Sequence, residues 1–556
     1  MAEPTAVQVK EKIDLSDTEK DIFDTLLKTL RDPELSGDFK PNTVLRVAGG
    51  WVRDKLLGKE CCDIDIALDI MSGTEFANKV AEYKEVKNLS AEEKKKYLSA
   101  TDRKPPAGVG IIESNPDKSK HLETARMMLF GLWIDFVNLR CEEYSENSRI
   151  PTMKFGTAKE DAYRRDLTIN SLFYNINTNS VEDLTGRGIE DLKSGKIVTP
   201  LPPKATFLDD PLRVLRAIRF GSRFVFILDE ELKKAATSDE VKTALAAKIS
   251  RERIGIEIDL MISGNQPIKA MTYICDLTLF WIVFNIPPKC EPTVSEGCNR
   301  GCLDRLDIGH GFVVLPVAWL SAAYLDAAWN LIQLIGCSSF SDEQRRLSLY
   351  AALFLPFRKN TYKVNTAKEI SIVNYIFRVS LKLKASDAET VINIHRASDE
   401  DNFLSLIPSL VSANNDVSEL RVLTGSLLRK IKDFWRVALL ISTLLYPIDV
   451  DCTQDILGKN FQLAKRRDLF MEVENAIIKL GLEKVWDVKP LVNGKEIMNV
   501  LQLKSGGPLV RKWQQELLEW QLAHPSGTAE ECLDWMKKTH LKRKHSEDPP
   551  HTLKSF

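Results

Sequence analysis

Residues 45–66 read LRVAGGWVRDKLLGKECCDIDI. An apolar run ends at Gly49-Gly50, and a helix-like stretch carrying Arg53 and Asp54 follows. Asp63 and Asp65 then alternate with Ile64 and Ile66. On a strand, residues two apart share a face. The two carboxylates therefore point one way and the two Ile side chains point into the core. Adjacent carboxylates repel unless a cation lies between them. Hard cations with oxygen ligands, Mg²⁺ first among them, meet that need. The glycines allow a turn whose backbone N–H groups come close to phosphate. Gly-Gly, Arg and Asp-x-Asp in this order form a polymerase-like arrangement for metal and nucleoside triphosphate. The bland alternative is a surface strand with two solvated Asp residues.

The chain has 556 residues, 44% hydrophobic and 28% charged, the composition of an ordinary globular protein. That length suggests three or four domains. A net charge of −1 gives no global basic field to advertise nucleic-acid binding, so any RNA contact must come from local patches. The ten cysteines include no C-x-x-C pair; Cys61-Cys62 and Cys298/Cys302 read as reduced thiols. The acidic N-terminal segment has no apolar stretch of the secretory kind and no Arg/Ser-rich presequence. FVVLPVAWLSAAYL at 312–325 is short for a membrane span and contains Pro316, so a buried core segment is expected. The polar, Pro-containing end of the chain is expected to be disordered, with Lys542-Arg543-Lys544 either a nuclear address or part of a solvated tail.

Ser16 and Glu19 signal a capping box before an amphipathic helix. Strands are expected at 44–48 and 63–69, and a hairpin at 121–139 around Gly131. The Lys/Glu/Ser-rich stretch 90–120 reads as a loop. From about 207 the apolar spacing is helical, broken at 286–311 and 399–418. Residues 489–538 form a last helical unit that turns at Gly506-Gly507-Pro508.

Three further motifs carry chemistry. Asp135 in WIDFVNLR falls on the hairpin strand beside the Asp pair. It either joins them as a third carboxylate, binding metal or accepting the proton of an attacking hydroxyl, or pairs with Arg140 or another cation. DAYRRDLTINS at 161–171 places Arg165 and Asp166 for phosphate oxygens and ribose hydroxyls, with Asn170 one helical turn on. In DDPLRVLRAIRF, Asp210, Arg213, Arg216 and Arg219 are spaced by three along one helix face. Such a stripe is either a salt-bridged face or a reader. Asp210 and Arg213 offer an acceptor beside a donor fork. Cytosine and adenine both present an exocyclic amine beside a ring-nitrogen acceptor, and uracil and guanine present the opposite order. A site that leaves the wrong base unpaired can reject it by about 10⁴-fold.

GGWVRD, DID, RRDLTIN, DLTGRGIEDL, DDPLR with RAIRF, and ISRERIGIEI occur here in one order. Over about 40–270 the chain resembles the class II tRNA nucleotidyltransferases, the CCA-adding enzymes of the polymerase-β-like superfamily. The later KPLVNGKEIM…WQQELLEWQL is similar to the tail of eukaryotic members. The resemblance implies an α+β fold, with a nucleotidyltransferase head around a small mixed sheet, then an all-α neck, body and tail. The implied bounds are an N-terminal helix in 1–40, head 41–200, neck 201–268, body 269–430, tRNA-binding tail 431–538 and a disordered end 539–556. It implies that Asp63 and Asp65 bind catalytic Mg²⁺, with Gly49, Gly50 and Arg53 at the triphosphate. Arg165, Asp166 and Asn170 would serve the nucleotide's phosphate and ribose. Asp210 and Arg213 would read the base, supported by Arg216 and Arg219, while 250–258 braces the neck. Two departures stand out: Asp209 begins the DDPLR motif where the family has Glu, and Arg187 separates Gly186 from Gly188.

The implied activity is template-independent addition of CCA to tRNA 3′ ends from CTP and ATP. The partners are the tRNA acceptor arm and the two nucleotides, with no membrane and no obligate protein partner. A partial CC- or A-adding enzyme, a poly(A)-type polymerase and a non-catalytic RNA-binding protein are the alternatives. Cytoplasm or nucleus is expected, with an organellar form arising from an alternative start.

Overall fold

The computed structural model describes residues 7–32, 43–69, 71–87, 108–112, 124–143, 152–287, 306–307, 312–313, 317–364, 368–412, 416–448 and 462–547. The chain divides into two compact units, Met1–Phe284 and Asn285–Phe556.

The first unit is organised by a seven-stranded mixed sheet. Its strands are β1 (Leu45–Ala48), β2 (Ile64–Leu68), β3 (Val109–Ile112), β4 (Thr124–Leu129), β5 (Leu132–Asn138), β8 (Phe173–Asn175) and β9 (Ser180–Glu182), in the order β3-β4-β5-β2-β1-β8-β9. A separate ribbon pairs β6 (Arg140–Glu143) with β7 (Thr152–Phe155). Within the sheet β2 and β5 run parallel and the other neighbours antiparallel. The expected hairpin is present. Phe130 and Gly131 both have positive φ, +48° and +84°, which suits a tight two-residue turn between twisted strands. One sheet face is apolar: Ile64, Ile66, Ile134, Phe136, Ala125 and Met127 are buried.

Helix α1 (Asp17–Arg31) begins with the expected capping box. Glu19 also accepts from Trp51 Nε1 at 3.0 Å and pairs with Lys55 at 2.9 Å, tying α1 to α2 (Gly50–Leu56). Helix α3 (Gly73–Val86) follows β2. Beyond the sheet come α4 (Ala158–Tyr163), α5 (Gly188–Lys193), α6 (Pro203–Asp209), α7 (Leu212–Arg223), α8 (Glu230–Ala236), α9 (Asp239–Lys248) and α10 (Arg251–Ile262).

Four expectations need correction. The stretch 90–120 is not all loop, because Val109–Ile112 adds an edge strand to β4; residues 90–107 and 113–120 lie outside the described residues. Four residues flanked by polar sequence give too short an alternation to stand out. Residues 539–547 are helical, not disordered, since the helix Ala529–Glu547 runs through them. Arg543 pairs there with Glu516 at 3.0 Å and lies 5.0 Å from the Trp513 ring centroid. The break at 399–418 contains a π turn, Glu400–Leu404, and a helix, Ser405–Val411, anchored by buried Phe403, Ile407 and Leu410. The helical remainder also holds short ribbons, Leu306–Asp307 with Phe312–Val313 and Thr361–Val364 with Lys368–Ser371.

In the second unit, the apolar run near 312–325 enters the helix Val317–Ile335, whose Leu320, Tyr324, Leu325, Leu331 and Ile332 are buried. Among the described residues, no helix is long and apolar enough to cross a membrane. His395 is buried and its Nε2 lies 2.7 Å from the Ala351 carbonyl. Burial pushes its pKa down to about 4, against a weaker upward pull from that bond. Above pH 6.5 the ring is neutral in both folded and unfolded chain. As pH falls from 6.5 to about 4, only the unfolded chain takes up the proton, so stability drains away across that window. The slope is at most about 1.4 kcal/mol per pH unit. Melting curves of wild type and His395→Gln should therefore converge as pH falls from 7 to 4. Parallel curves would count against this role.

Candidate active site

The switch from sheet to helix happens at Gly49, with φ +72° and ψ −117°. Its N–H donates to the Leu172 carbonyl at 2.9 Å. A Cβ there would lie 2.7 Å from Arg165 Nη1 and 3.2 Å from the Asn170 carbonyl oxygen. Conformation and space both demand glycine, and the bare backbone leaves the turn open to a ligand.

Parallel pairing of β2 with β5 sets Asp65 opposite Asp135. Asp63 lies two residues before Asp65, and one oxygen from each of the three carboxylates lies within 4.8 Å of the others. Burial, then the charge of Asp63, pushes the Asp65 carboxyl up to about 6, while Arg165 pulls it the other way. Three oxygens this close, one on a penalised carboxylate, are a donor set for a hard divalent cation. Both readings of Asp135 have a place. It joins the acidic cluster, and it also pairs with a cation: Arg126 on β4, Nε to Oδ1 at 2.9 Å.

Asp161 on α4 was not singled out from the sequence, although its spacing from Arg164 and Arg165 (i+3 and i+4) was the available signal. Its buried carboxylate accepts from Arg164 Nε at 2.8 Å and from Arg165 Nε and Nη2 at 3.0 and 2.8 Å. Burial alone would raise its pKa, but the charges of Arg165 and Arg164 outweigh that and hold it at about 2. Arg165, so fixed, donates Nη1 to the Asn170 carbonyl at 3.3 Å and lies 5.1 Å from the Phe173 ring centroid.

Asn170 sits in a 3₁₀ turn, Thr168–Asn170, not on the α-helical turn expected from its spacing, and it joins three groups. Its Oδ1 accepts from Arg53 Nη1, its Nδ2 donates to Asp166 Oδ1 at 3.0 Å, and its carbonyl takes Arg165. Arg53 is buried, donates Nε to Asp54 at 2.8 Å, and lies 4.9 and 4.8 Å from the Phe220 and Phe224 rings. The helix that opens at the glycine turn is thereby bound to α7. Asp166 accepts from Leu167 N–H at 2.9 Å and from Arg216 Nε at 2.7 Å. Burial opposes its charge, yet Arg216 and these donors hold the carboxyl well below the usual range.

The Asp/Arg stripe is braced by α10. Asp210 Oδ1 accepts from Leu212 N–H and Oδ2 from Arg253 Nη2, both at 3.1 Å. Arg219 donates to Glu257 at 2.6 Å, and Arg216 approaches the same carboxylate at 3.7 Å. Arg213 donates Nη2 to the Arg164 carbonyl at 2.7 Å. The stripe is thus salt-bridged, and a short relay (Arg213, Arg164, Asp161, Arg165) runs from it to the arginine whose charge acts on Asp65.

Residues 45–198 match the poly(A) polymerase head domain family. The mitochondrial CCA tRNA nucleotidyltransferase of Saccharomyces cerevisiae is 36% identical over 514 residues, covering 90% of this chain and 87% of the relative. This chain belongs to the CCA-adding tRNA nucleotidyltransferase family. A second relative, tRNA nucleotidyltransferase cca2 of Schizosaccharomyces pombe, is 33% identical across 95% of this chain and 99% of its own length. The CCA-adding enzyme of Bacillus stearothermophilus, solved with CTP, aligns with TM-score 0.58 at 18% identity, over 96% of this chain and all of that one, and so shares the fold.

Membership also gives meaning to the departure at Gly186-Arg187-Gly188. Gly186 has φ +70° and its N–H donates to Asp183 Oδ1 at 3.1 Å. A Cβ on Gly188 would meet the Thr168 carbonyl at 2.7 Å and Leu172 Cδ2 at 2.8 Å. Thr168 Oγ1 donates to Asp191 at 2.7 Å. In this CCA-adding family member the motif packs against the turn that presents Asn170.

Proposed function

We propose that this protein completes tRNA 3′ ends by adding C, C and A without a nucleic-acid template, from CTP and ATP, with release of pyrophosphate. The observation that carries this reading is a three-carboxylate cluster in the same compact unit as the Asp210–Arg213 pair. Asp63 and Asp65 would hold Mg²⁺, which would supply charge neutralisation at the α-phosphate and activation of the attacking hydroxyl. The chain's own contribution is positioning. The Gly49-Gly50 turn admits the triphosphate, with Arg165 beside it. Asn170, Arg53 and Asp166 hold that wall rigid, Arg216 and Arg219 anchor α7, and Asp210 and Arg213 meet the amine and ring nitrogen of cytosine or adenine. Asp135, beside the 3′-OH, accepts its proton. The head spans 41–200, the neck 201–268 selects the nucleotide, and the body at 269–430 and tail at 431–538 grip the acceptor arm through phosphate and shape. We place the protein in the cytosol or nucleus, with an organellar form as in the mitochondrial relative.

Single-nucleotide reactions test this reading. With CTP alone and tRNA ending at the discriminator base, two residues should be added and no more. With ATP alone, none should be added until CC is present. Unlimited tailing with ATP alone would contradict the reading, as would incorporation that does not depend on Mg²⁺.

A further inference from the structure

The sheet face that carries the acidic cluster does not end at Asp135. Antiparallel pairing of β4 with β5 sets Arg126 opposite Asp135 and Met128 opposite Trp133. Since side chains alternate, Asp65, Asp135, Arg126, Trp133 and Met128 share one face, and Ala125, Met127, Ile134 and Phe136 are buried beneath the other. Trp133 and Met128 are each 48% exposed, an unusual state for two large apolar side chains packed across a strand pair. Arg126 lies 5.4 Å from the Trp133 ring centroid and forms an ion pair with Asp135, Nε to Oδ1 at 2.9 Å. A guanidinium carries five N–H donors, so that ion pair does not exhaust it.

We propose that this face seats the unpaired 3′-terminal nucleotide of the tRNA, its base against Trp133 and Met128 and its backbone phosphate at Arg126. The proposal rests on the function stated above, which requires a 3′-OH at the acidic cluster. Trp133 is two residues from Asp135, about 7 Å along the strand. A nucleoside whose 3′-OH reaches the carboxylates can therefore lay its base over the indole. An aromatic ring with an adjacent Arg is how proteins hold single-stranded bases without reading their sequence. Sequence tolerance is what this position demands, because the terminal base changes from discriminator to C and to C again as addition proceeds. Continuity with the acidic cluster, where the proposed reaction needs an RNA 3′-OH, favours RNA over a second copy of the chain.

Equilibrium binding by the full-length protein, with Mg²⁺ and without nucleotides, tests the platform. The ligands are tRNA ending in CC and the same tRNA with an abasic final nucleotide. Wild type should bind the abasic tRNA about tenfold or more weakly. Trp133→Ala should bind both equally, and Trp133→Phe should restore most of the difference. Met128→Ala, a smaller change in the same patch, should lower the discrimination in part and keeps the test open if Trp133→Ala fails to fold. The KM for ATP at saturating tRNA should not move in Trp133→Ala. A wild type blind to the missing base would overturn the platform, as would a Trp133→Ala protein that still discriminates or that weakens on both tRNAs alike. Self-association lost in Trp133→Ala, with tRNA binding intact, would assign the patch to a second copy instead. Failure of the function itself reads out separately, as no nucleotide addition by wild type.

Discussion

Asp65→Asn should cut nucleotide incorporation by at least about 10³-fold while leaving the protein folded. Asp65 stands opposite Asp135 and shares the cluster with Asp63, so it is the carboxylate at the centre of the donor set. Asn keeps the shape but offers a neutral oxygen, and a hard cation loses both charge and affinity. The fold responds in the opposite sense. Burial and the charge of Asp63 both penalise the ionised Asp65, so removing that charge relieves the metal-free protein. Without metal, Asp65→Asn should melt no lower than wild type. With Mg²⁺, wild type should gain stability and the variant should gain less. Activity within tenfold of wild type would remove Asp65 from the metal site. A markedly lower melting point would make it a structural residue.

Arg213→Ala should blur the choice between nucleotides more than it lowers tRNA affinity. Arg213 donates to the Arg164 carbonyl and sits one turn after Asp210, whose two oxygens are each fixed by one donor. A site that pairs an amine and a ring nitrogen rejects uracil and guanine by leaving buried groups unsatisfied. Deleting the donor removes half of that penalty, so UTP incorporation relative to CTP should rise by at least about tenfold. Relative kcat/KM for the four nucleotides, measured on one tRNA, decides the matter. Unchanged ratios with a lower overall rate would reduce Arg213 to a brace for Arg164.

The polar chemistry was legible where it is local in sequence. Asp63 and Asp65 need only strand alternation, and Gly49 only a turn, so their geometry follows from neighbouring residues. The spacing of Arg213, Arg216 and Arg219 likewise placed them together on α7, whereas Asp210, expected on the same helix face, precedes that helix as the extended C-cap of α6. What periodicity could not supply was the set of long-range partners. Glu257 meets Arg219 across 38 residues, Arg253 meets Asp210 across 43, and Arg126 meets Asp135 only through hairpin register. Arg53 read as a phosphate ligand, yet its side chain turns inward to Asp54, Asn170 and two Phe rings. Polar helices hid for a related reason: residues 539–547 carry little apolar period, and their helix is held by contacts such as Arg543 on Trp513 and Glu516.

The central claim is complete, ordered addition, and the 3′ ends of the products report it directly. Full-length protein is incubated with Mg²⁺, all four nucleoside triphosphates and a tRNA ending at its discriminator base, and the product ends are sequenced. The account predicts ends of CCA and nothing longer. Ends that stop at CC, A added only to tRNA already ending in CC, or heterogeneous tails would contradict it.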